Sequence, residues 1–279
     1  MNAADPVLRV ANLSKTYPMR RTVADRLRGK PREAHLAVDG VSFDLNEGEI
    51  LGIAGQSGSG KTTVARCVTK LVAPDPGAVI KLQGRDVVRA HGEKLREMRR
   101  DIQMIFQDPY TSLNPRMTIG AAILEAGRVH RRPGSDRPEE FVGAQLERVG
   151  LPASSADRKP RELSGGQRQR VAIARSLAVQ PVALIADEAV SALDVSVQAQ
   201  LLNLFLDLRD ELGLSILFIS HQLAVLAEVA DRMAIMNLGR IVEIGEARDV
   251  LSNPKDAYTR RLLAANPNPD PSKRGEVTA

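Results

Sequence analysis

The chain of 279 residues has few of the residues on which several classes of protein depend. It contains one cysteine, Cys67, so an internal disulfide is impossible and a reducing compartment is favoured. It has no tryptophan, and its 3% aromatic content argues against a surface that stacks on nucleic-acid bases. It also lacks both an N-terminal secretory signal and the run of about 18 apolar residues that spans a bilayer. We therefore expect a soluble intracellular protein with no nucleic-acid partner.

The residues that are abundant favour a globular protein with polar extremities. Apolar residues make up 43% of the chain, which is enough for a buried core. The net charge is +5, and six basic residues lie between Arg20 and Arg32. That segment is predicted to be a solvated surface insertion, with contact to an anionic surface as the alternative. The proline-rich end, residues 264–279, is predicted to be a flexible tail.

A glycine-rich segment is the most informative feature of the sequence. Residues Gly55–Thr62 read Gly-Gln-Ser-Gly-Ser-Gly-Lys-Thr, the spacing of a loop whose backbone N–H groups surround nucleotide phosphates. An apolar strand, Ile50–Ala54, precedes it, and a helix is predicted over about 60–72. Lys61 is expected to reach the β- and γ-phosphates, and the Thr62 hydroxyl to bind Mg²⁺. The positive end of the helix dipole favours the same phosphates.

Strands and helices alternate along the rest of the chain. The hydrophobic patterns predict strands over 7–17, 36–54, 79–82, 102–107, 182–186 and 214–220, and helices over 117–160 (interrupted by prolines), 165–180 and 195–212. This alternation predicts an α/β fold with a parallel sheet covered on both faces. In such sheets the ligand binds at the carboxyl ends of the strands.

Two carboxylates follow directly after a predicted buried strand. The apolar run Val182–Ala186 leads into Asp187 and Glu188. Charges placed there are costly unless a cation or a substrate uses them. Asp187 is expected to hold Mg²⁺ through water, and Glu188 to accept the proton of the attacking water.

A second helix start has the features of an anion site. Ser164 is predicted to cap a helix, with Gln167 completing a capping box. Capping does not require Gly165 and Gly166, which cost about 1 kcal/mol each in a helix but let backbone N–H groups approach an anion. One nucleotide cannot easily use both Lys61 and Ser164 within one chain, so we expect a head-to-tail dimer with a shared site.

Six motifs in order resemble the ATP-binding subunit of an ABC transporter. They are Gly55–Thr62, Gln107, Leu163–Gln167, Ala186–Glu188, Ser191–Asp194 and His221. The resemblance covers about residues 7–263. Three further segments, 106–117, 253–263 and 267–271, are similar to the peptide/nickel importer branch.

The resemblance implies a fold and a function. The fold is a P-loop NTPase (RecA-like) core with an antiparallel N-terminal β-subdomain and an α-helical subdomain inserted at about 108–165. The function is Mg²⁺-dependent ATP hydrolysis that energises a membrane permease for uptake of peptides or a related small solute. The implied partners are a second ATP-binding subunit, with a heterodimer favoured over a homodimer, the permease, and indirectly an extracytoplasmic solute-binding protein. The implied location is the cytoplasmic face of the inner membrane.

The resemblance also assigns residues to roles. Gln107 and His221 would join Glu188 and Lys61 in catalysis, with Gln107 also sensing Mg²⁺ beside Thr62 and Asp187. Asp194 would contact the partner across the dimer, although a helix N-cap alone would also explain it. The expected nucleotide-binding set is Tyr17 (stacking on adenine), Gly55, Ser57, Gly58, Ser59, Gly60, Lys61, Thr62, Thr63, Ser164, Gly165, Gly166, Gln167 and Asp194.

Other ATPases remain as alternatives of different strength. The hardest to exclude is an accessory ABC ATPase of a soluble enzyme complex, of the carbon–phosphorus lyase type, because its motifs would be nearly identical. DNA-maintenance ATPases need long heptad arrays, which are absent between Lys61 and Ser164.

One departure from the family pattern is Ala189, which stands where proline is usual and could loosen the turn that holds Glu188. The transported solute stays open among dipeptides, oligopeptides, nickel, opines and glutathione.

Overall fold

The computed structural model of the protein describes residues 5–18, 34–108 and 113–265. The basic segment predicted as a surface insertion, residues 109–112 of the importer-like loop and the proline-rich tail beyond 265 lie outside these ranges. The strands are β1 Leu8–Pro18, β2 Ala34–Leu45, β3 Ile50–Ala54, β4 Val79–Leu82, β5 Arg85–Asp86, β6 Ile102–Ile105, β7 Ala183–Asp187, β8 Ser215–Ser220, β9 Arg232–Asn237 and β10 Arg240–Glu246. The helices are α1 Lys61–Val68, α2 Gly92–Asp101, α3 Ile119–Val129, α4 Pro138–Arg148, α5 Gly165–Leu177, α6 Val195–Leu212, α7 Leu223–Val229, α8 Ala247–Ser252 and α9 Ala257–Ala264.

The described strands form two sheets. A four-stranded antiparallel sheet has the order β2-β1-β4-β5, and a six-stranded sheet has the order β10-β9-β3-β8-β7-β6. In the larger sheet β9, β3, β8, β7 and β6 run parallel, and β10 pairs antiparallel with β9 at one edge. The predicted α/β fold with an antiparallel N-terminal sheet is confirmed.

The central strands are buried on both sides. Every residue of β3, β7 and β8 is buried, and each strand is a nearly continuous apolar run, as expected where helices cover both faces of a parallel sheet. Phe205 of α6 meets Phe218 of β8 edge to face, with ring centroids 5.2 Å apart. Such a pair adds about 0.5–1.5 kcal/mol to the stabilisation from buried area. The core therefore fixes the strands whose ends carry the site.

Two predicted helices end earlier than their patterns suggested. The helix predicted over 60–72 ends at Val68, because Lys70 adopts a left-handed backbone with φ 51°. The helix predicted over 165–180 ends at Leu177, and Gln180 takes φ 49° before the chain enters β7. In both cases a left-handed residue, rather than the next proline, reverses the chain.

The long helix α6 is confirmed with its predicted bounds, and Gly213 ends it with φ 63°. The spacing of Val197, Leu201, Leu204, Leu208 and Leu212 predicts one apolar face, and of these Leu201, Leu204 and Leu208 are buried. Leu212 does not share that burial, because it is 43% exposed at the last turn. The apolar face therefore stops one turn before the helix does.

The edge strand β6 is shorter than predicted. The alternation of Ile102, Met104 and Phe106 with polar residues predicted a strand running to Gln107, but β6 ends at Ile105 and Phe106 is 37% exposed. The reason is its position at the sheet edge, since among the described residues β6 pairs with β7 alone, and only from Ile102 to Ile105. Gln107 consequently lies beyond the sheet, in a segment whose side chains can turn towards the neighbouring strand end.

Helices predominate between β6 and α5, as predicted. The segment holds α3, α4 and two short 3₁₀-helices, Ala153–Asp157 and Pro160–Glu162. A separate helical subdomain at about 108–165 remains a prediction. Within the described residues, no helix has both the length and the apolar content needed to cross a bilayer.

Two glycines of the phosphate loop provide a test of the packing. A Cβ on Gly55 would lie 2.2 Å from the Met236 carbonyl oxygen, whereas a Cβ on Gly58 would meet nothing within 4 Å. Both glycines have positive φ. We expect Gly55→Ala to lower the free energy of unfolding by about 3 kcal/mol or more and Gly58→Ala by only about 1 kcal/mol. Urea denaturation measures both, and equal losses would contradict the close approach at Gly55.

Candidate active site

The phosphate loop is closed by its own lysine. Gly60 caps α1 in a left-handed conformation (φ 104°), and the buried Lys61 follows it. Lys61 Nζ donates to the carbonyl oxygens of Gly55 (2.7 Å) and Gln56 (2.9 Å). Burial lowers the pKa of the Lys61 ammonium, although the nearby charges of Glu188 and Asp187 act in the opposite direction. The loop carbonyls therefore bind the Lys61 ammonium, and the predicted contact of Lys61 with the β- and γ-phosphates stays a prediction.

The side-chain hydroxyl of Ser59, inside this loop, is a hydrogen-bond donor without an acceptor among the described residues. The residue is buried, and among the described residues its hydroxyl has no hydrogen-bond partner. Its own carbonyl accepts the Gly239 N–H at 3.0 Å, so the backbone is held while the side chain is not satisfied. Leaving a buried hydroxyl unpaired costs about 1–3 kcal/mol. A phosphate oxygen would supply the missing acceptor, so the residues present fit a nucleotide.

The first carboxylate of the pair contacts the phosphate-loop helix. Asp187 is the last residue of β7 and is buried, and Thr62 Oγ1 donates to Asp187 Oδ1 at 3.1 Å. Burial raises the pKa of Asp187, and the Thr62 hydrogen bond offsets part of that rise. A hydroxyl and a carboxylate oxygen are ligands that Mg²⁺ accepts. No group of three or more His, Cys, Asp or Glu that could hold a metal lies within the described ranges, so phosphate and water would complete the coordination.

The second carboxylate is held by two other strand ends. Glu188 Oε2 accepts a hydrogen bond from Gln107 Nε2 at 2.9 Å, and Glu188 Oε1 lies 3.2 Å from His221 Nδ1. These three residues follow β7, β6 and β8 respectively, which are neighbours in the sheet. The structure therefore brings together residues that are 81 and 33 positions apart. Both oxygens of Glu188 are therefore engaged by side chains of the same chain.

A cavity of about 370 Å³ joins the loop to the second carboxylate. It is lined by Gln56, Ser57, Glu188, His221, Leu262 and Ala265. Sequence reasoning missed the last two, which belong to α9 and to the residue after it. No local signal could have found them, because they reach the site through packing between distant segments.

The Ser164 segment forms the predicted capping box. Ser164 Oγ accepts from the Gln167 backbone N–H at 3.3 Å, and Gln167 Oε1 accepts from the Ser164 N–H at 3.0 Å. Ser164 is exposed, and its own O–H remains available as a donor. A Cβ on Gly166 would lie 2.4 Å from Val197 Cγ1 of α6, whereas a Cβ on Gly165 would meet only Leu193 at 3.4 Å. The close packing against Val197 is therefore enough to explain why residue 166 is glycine. For Gly165, the close approach of an anion to the backbone remains the predicted reason.

Two other predicted residues lie at the margins. Tyr17 is half-buried near the end of β1, opposite His35 of β2, with Lys15 Nζ 5.4 Å from its ring centroid. Asp194 stands at the N-cap of α6, but only its backbone carbonyl bonds the helix, accepting from Gln198 N at 2.8 Å. The N-cap position considered for Asp194 is therefore confirmed, although its carboxylate makes no capping bond.

Comparison with known proteins places the chain in a family. Residues 38–191, more than half of the chain, match the family model described as ABC transporter. The chain belongs to the ABC transporter family. The matched region of this ABC chain contains the phosphate loop and the Asp187–Glu188 pair, two of the motifs on which the sequence resemblance rests.

Individual relatives agree with this assignment. The chain is 51% identical to the glutathione import ATP-binding protein GsiA of Escherichia coli over 271 residues, 97% of this chain and 42% of that protein. The corresponding protein of Pectobacterium atrosepticum is 48% identical over 97% of this chain and 43% of that protein. The chain spans less than half the length of these curated relatives.

The fold of this ABC chain also matches a solved structure of a nucleotide-bound cassette. A dimeric structure of the ATP-binding cassette MJ0796, in a post-hydrolysis state bound to ADP and Pi, superimposes with a TM-score of 0.72. The sequences are 27% identical, and the match covers 86% of this chain and 99% of that one.

Asp187 allows a test of the electrostatics. Because burial raises its pKa, the ionised side chain is more costly in the folded than in the unfolded chain. Without nucleotide, Asp187→Asn should therefore raise the unfolding temperature at neutral pH. That gain should shrink as pH falls through the raised pKa of the folded state, and it should vanish well below 3.8, where Asp187 is protonated in both states. Thermal denaturation across pH checks this, with the exposed Asp207→Asn as control. A loss of stability at neutral pH would contradict it.

Proposed function

We propose that this chain is the ATP-binding and ATP-hydrolysing subunit of an importer for peptides or a related small solute. One observation carries the proposal. A general-base candidate, Glu188, sits beside a phosphate loop and is contacted by Gln107 and His221 from the two adjacent strand ends. The names of the relatives, glutathione import ATP-binding proteins, favour a short peptide such as glutathione as the cargo.

The phosphate loop and the first carboxylate would bind the nucleotide with Mg²⁺. Lys61 and the Ser59 hydroxyl are the loop donors, and Thr62 and Asp187 would hold the ion. Bound Mg²⁺ would neutralise charge on the β- and γ-phosphates. Tyr17 and the remaining residues of Gly55–Thr63 complete the proposed set, with stacking on adenine assigned to the Tyr17 ring.

The second carboxylate would perform the proton transfer. Glu188 accepts the proton of the attacking water, and its two neighbours orient it. Gln107 and His221 would also donate to a γ-phosphate, because His221 lines the cavity beside Ser57 and Gln107 bonds Glu188, which lines the same cavity. Nucleotide would then compete with Glu188 for these donors and leave a carboxylate oxygen free for water.

A second subunit would complete the site. Ser164 is exposed at the start of α5 with its O–H available, together with the close-approach residue Gly165. The similar cassette MJ0796 is dimeric with ADP and Pi bound, which supports a dimer. In our proposal the two chains pack head to tail, so that the Ser164–Gln167 segment of each faces the nucleotide of the other. Asp194 would contact the partner across the same interface. We favour a heterodimer.

A groove beside Gln107 is the proposed docking surface for the permease. It has a volume of about 470 Å³ and lies between β6, α3 and α5. It is lined by Gln103, Met104, Ile105, Phe106, Glu125, Ala126, Val129, His130, Ala172, Arg175, Ser176 and Val179. Phe106 is exposed and precedes Gln107 in the chain. A partner bound in the groove would therefore shift Gln107 and its hydrogen bond to Glu188. The chain would thus lie at the cytoplasmic face of the inner membrane and act indirectly with a solute-binding protein.

The import reading is favoured over an accessory ATPase of a soluble enzyme complex. The two relatives are 48% and 51% identical to this chain over 97% of its length, and both are named as import proteins. Co-purification with a polytopic membrane protein supports import, and co-purification with soluble lyase subunits would overturn it.

The role of Glu188 is tested by an isosteric change. Glu188→Gln keeps the shape and one acceptor oxygen but cannot take the water proton. We expect ATP turnover to fall by about 10²–10⁴-fold with ATP binding retained, and an ATP-bound dimer to accumulate. Steady-state hydrolysis and size-exclusion chromatography measure the two effects, with the exposed Glu228→Gln as control. Turnover like that of the unmodified chain would remove Glu188 from the catalytic role.

The shared site is tested at the second helix start. Ser164→Arg should leave binding of one nucleotide to a single chain unchanged, because Ser164 is not part of that chain's phosphate loop. Its bulk should prevent dimer closure and reduce hydrolysis at least about 10-fold. The matched control is Ser154→Arg, another exposed serine on the segment before α5. Unchanged hydrolysis in Ser164→Arg would argue against a split site.

A further inference from the structure

The backbone of the proposed general base is strained. Glu188 has φ 50°, in the left-handed region that a residue with a side chain adopts at a cost of order 1–3 kcal/mol. Such a conformation persists only where surrounding contacts impose it. The contacts that hold it therefore determine where the carboxylate points.

Two backbone groups of Glu188 are held by different parts of the chain. Its N–H donates to the Ile219 carbonyl of β8 at 2.9 Å, which continues the pairing of β7 with β8. Its carbonyl oxygen accepts two hydrogen bonds from Ser191, one from the backbone N–H at 3.2 Å and one from Oγ at 3.0 Å. The bond from the Ser191 N–H is the one that closes an ordinary turn and is open to any residue except proline. The bond from Oγ requires a residue with a hydroxyl group at position 191.

The residues inside this turn provide no substitute for the hydroxyl. Ala189 and Val190 are buried at 3% and 2% exposure, so they anchor the turn to the core. Since residue 189 is alanine, no proline ring restricts the backbone on either side of it. The Ser191 hydroxyl is thus the side-chain contact that acts directly on the Glu188 main chain.

We propose that Ser191 is a positioning residue for ATP hydrolysis, whose hydroxyl holds Glu188 in the left-handed conformation that aims its carboxylate between Gln107 and His221. The inference rests on the proposed function, because it assigns Glu188 as the base. Ser191 acts only through Glu188. Its loss should misplace the carboxylate without changing the phosphate loop that binds ATP.

The experiment compares three variants by steady-state ATP hydrolysis and by nucleotide binding. Ser191→Ala should lower kcat about 10–100-fold with KM for ATP and MgATP affinity within about twofold. Ser191→Thr keeps the hydroxyl and should restore kcat to within about threefold. The matched control is Ser252→Ala, which removes a similar bond to a backbone carbonyl (Ser252 Oγ to Arg248 O, 2.8 Å) on α8 and should leave kcat unchanged.

A double mutant distinguishes positioning from a general structural role. If Ser191 acts through Glu188, Ser191→Ala added to Glu188→Gln should lower single-turnover hydrolysis no further than Glu188→Gln alone. A full additional loss would overturn the proposal, as would an unchanged kcat in Ser191→Ala or no rescue by threonine. Failure of the proposed function is a different result, namely an unmodified chain that neither binds nor hydrolyses ATP in any subunit combination.

Discussion

The structure depends on how two adjacent carboxylates at the end of one buried strand are satisfied. Asp187 and Glu188 leave the core together, and ionised carboxylates at such a position are costly unless other groups pair with them. Thr62 satisfies the first, and Gln107 and His221 satisfy the second. The parallel order of β3, β8, β7 and β6 makes this possible, because it brings the ends of four strands to one edge.

The same contacts explain how the site can respond to nucleotide. Lys61 bonds two carbonyls of its own loop, and both oxygens of Glu188 are engaged, so most of the machinery is paired within the chain. Each of these bonds is worth only about 0.5–1.5 kcal/mol net, or somewhat more where a charge takes part. A triphosphate offers several charge-assisted bonds and can displace them. The unpaired Ser59 hydroxyl adds a donor that has no competing partner in the described chain.

Local patterns predicted the parts of the site that lie within a few residues of one another. The phosphate loop, the buried strand before Asp187 and the capping box of Ser164 follow from short-range chemistry, and the structure has them. Strand and helix ends were less accurate, because a single left-handed residue such as Lys70 ends a helix without a strong sequence signal. The contribution of α9 and the contact of Gly166 with Val197 depend on packing between distant segments. No periodicity in one sequence reports those contacts.

The central claim is that one chain holds the base and the phosphate loop, while closure by a second subunit is required for turnover. The most direct measurement is ATP hydrolysis per chain as the protein, alone or with its partner cassette, is diluted at saturating MgATP while mass photometry follows its assembly. The account predicts that the rate per chain falls in step with the fraction of dimer. A rate that stays constant where only monomers are present would contradict it.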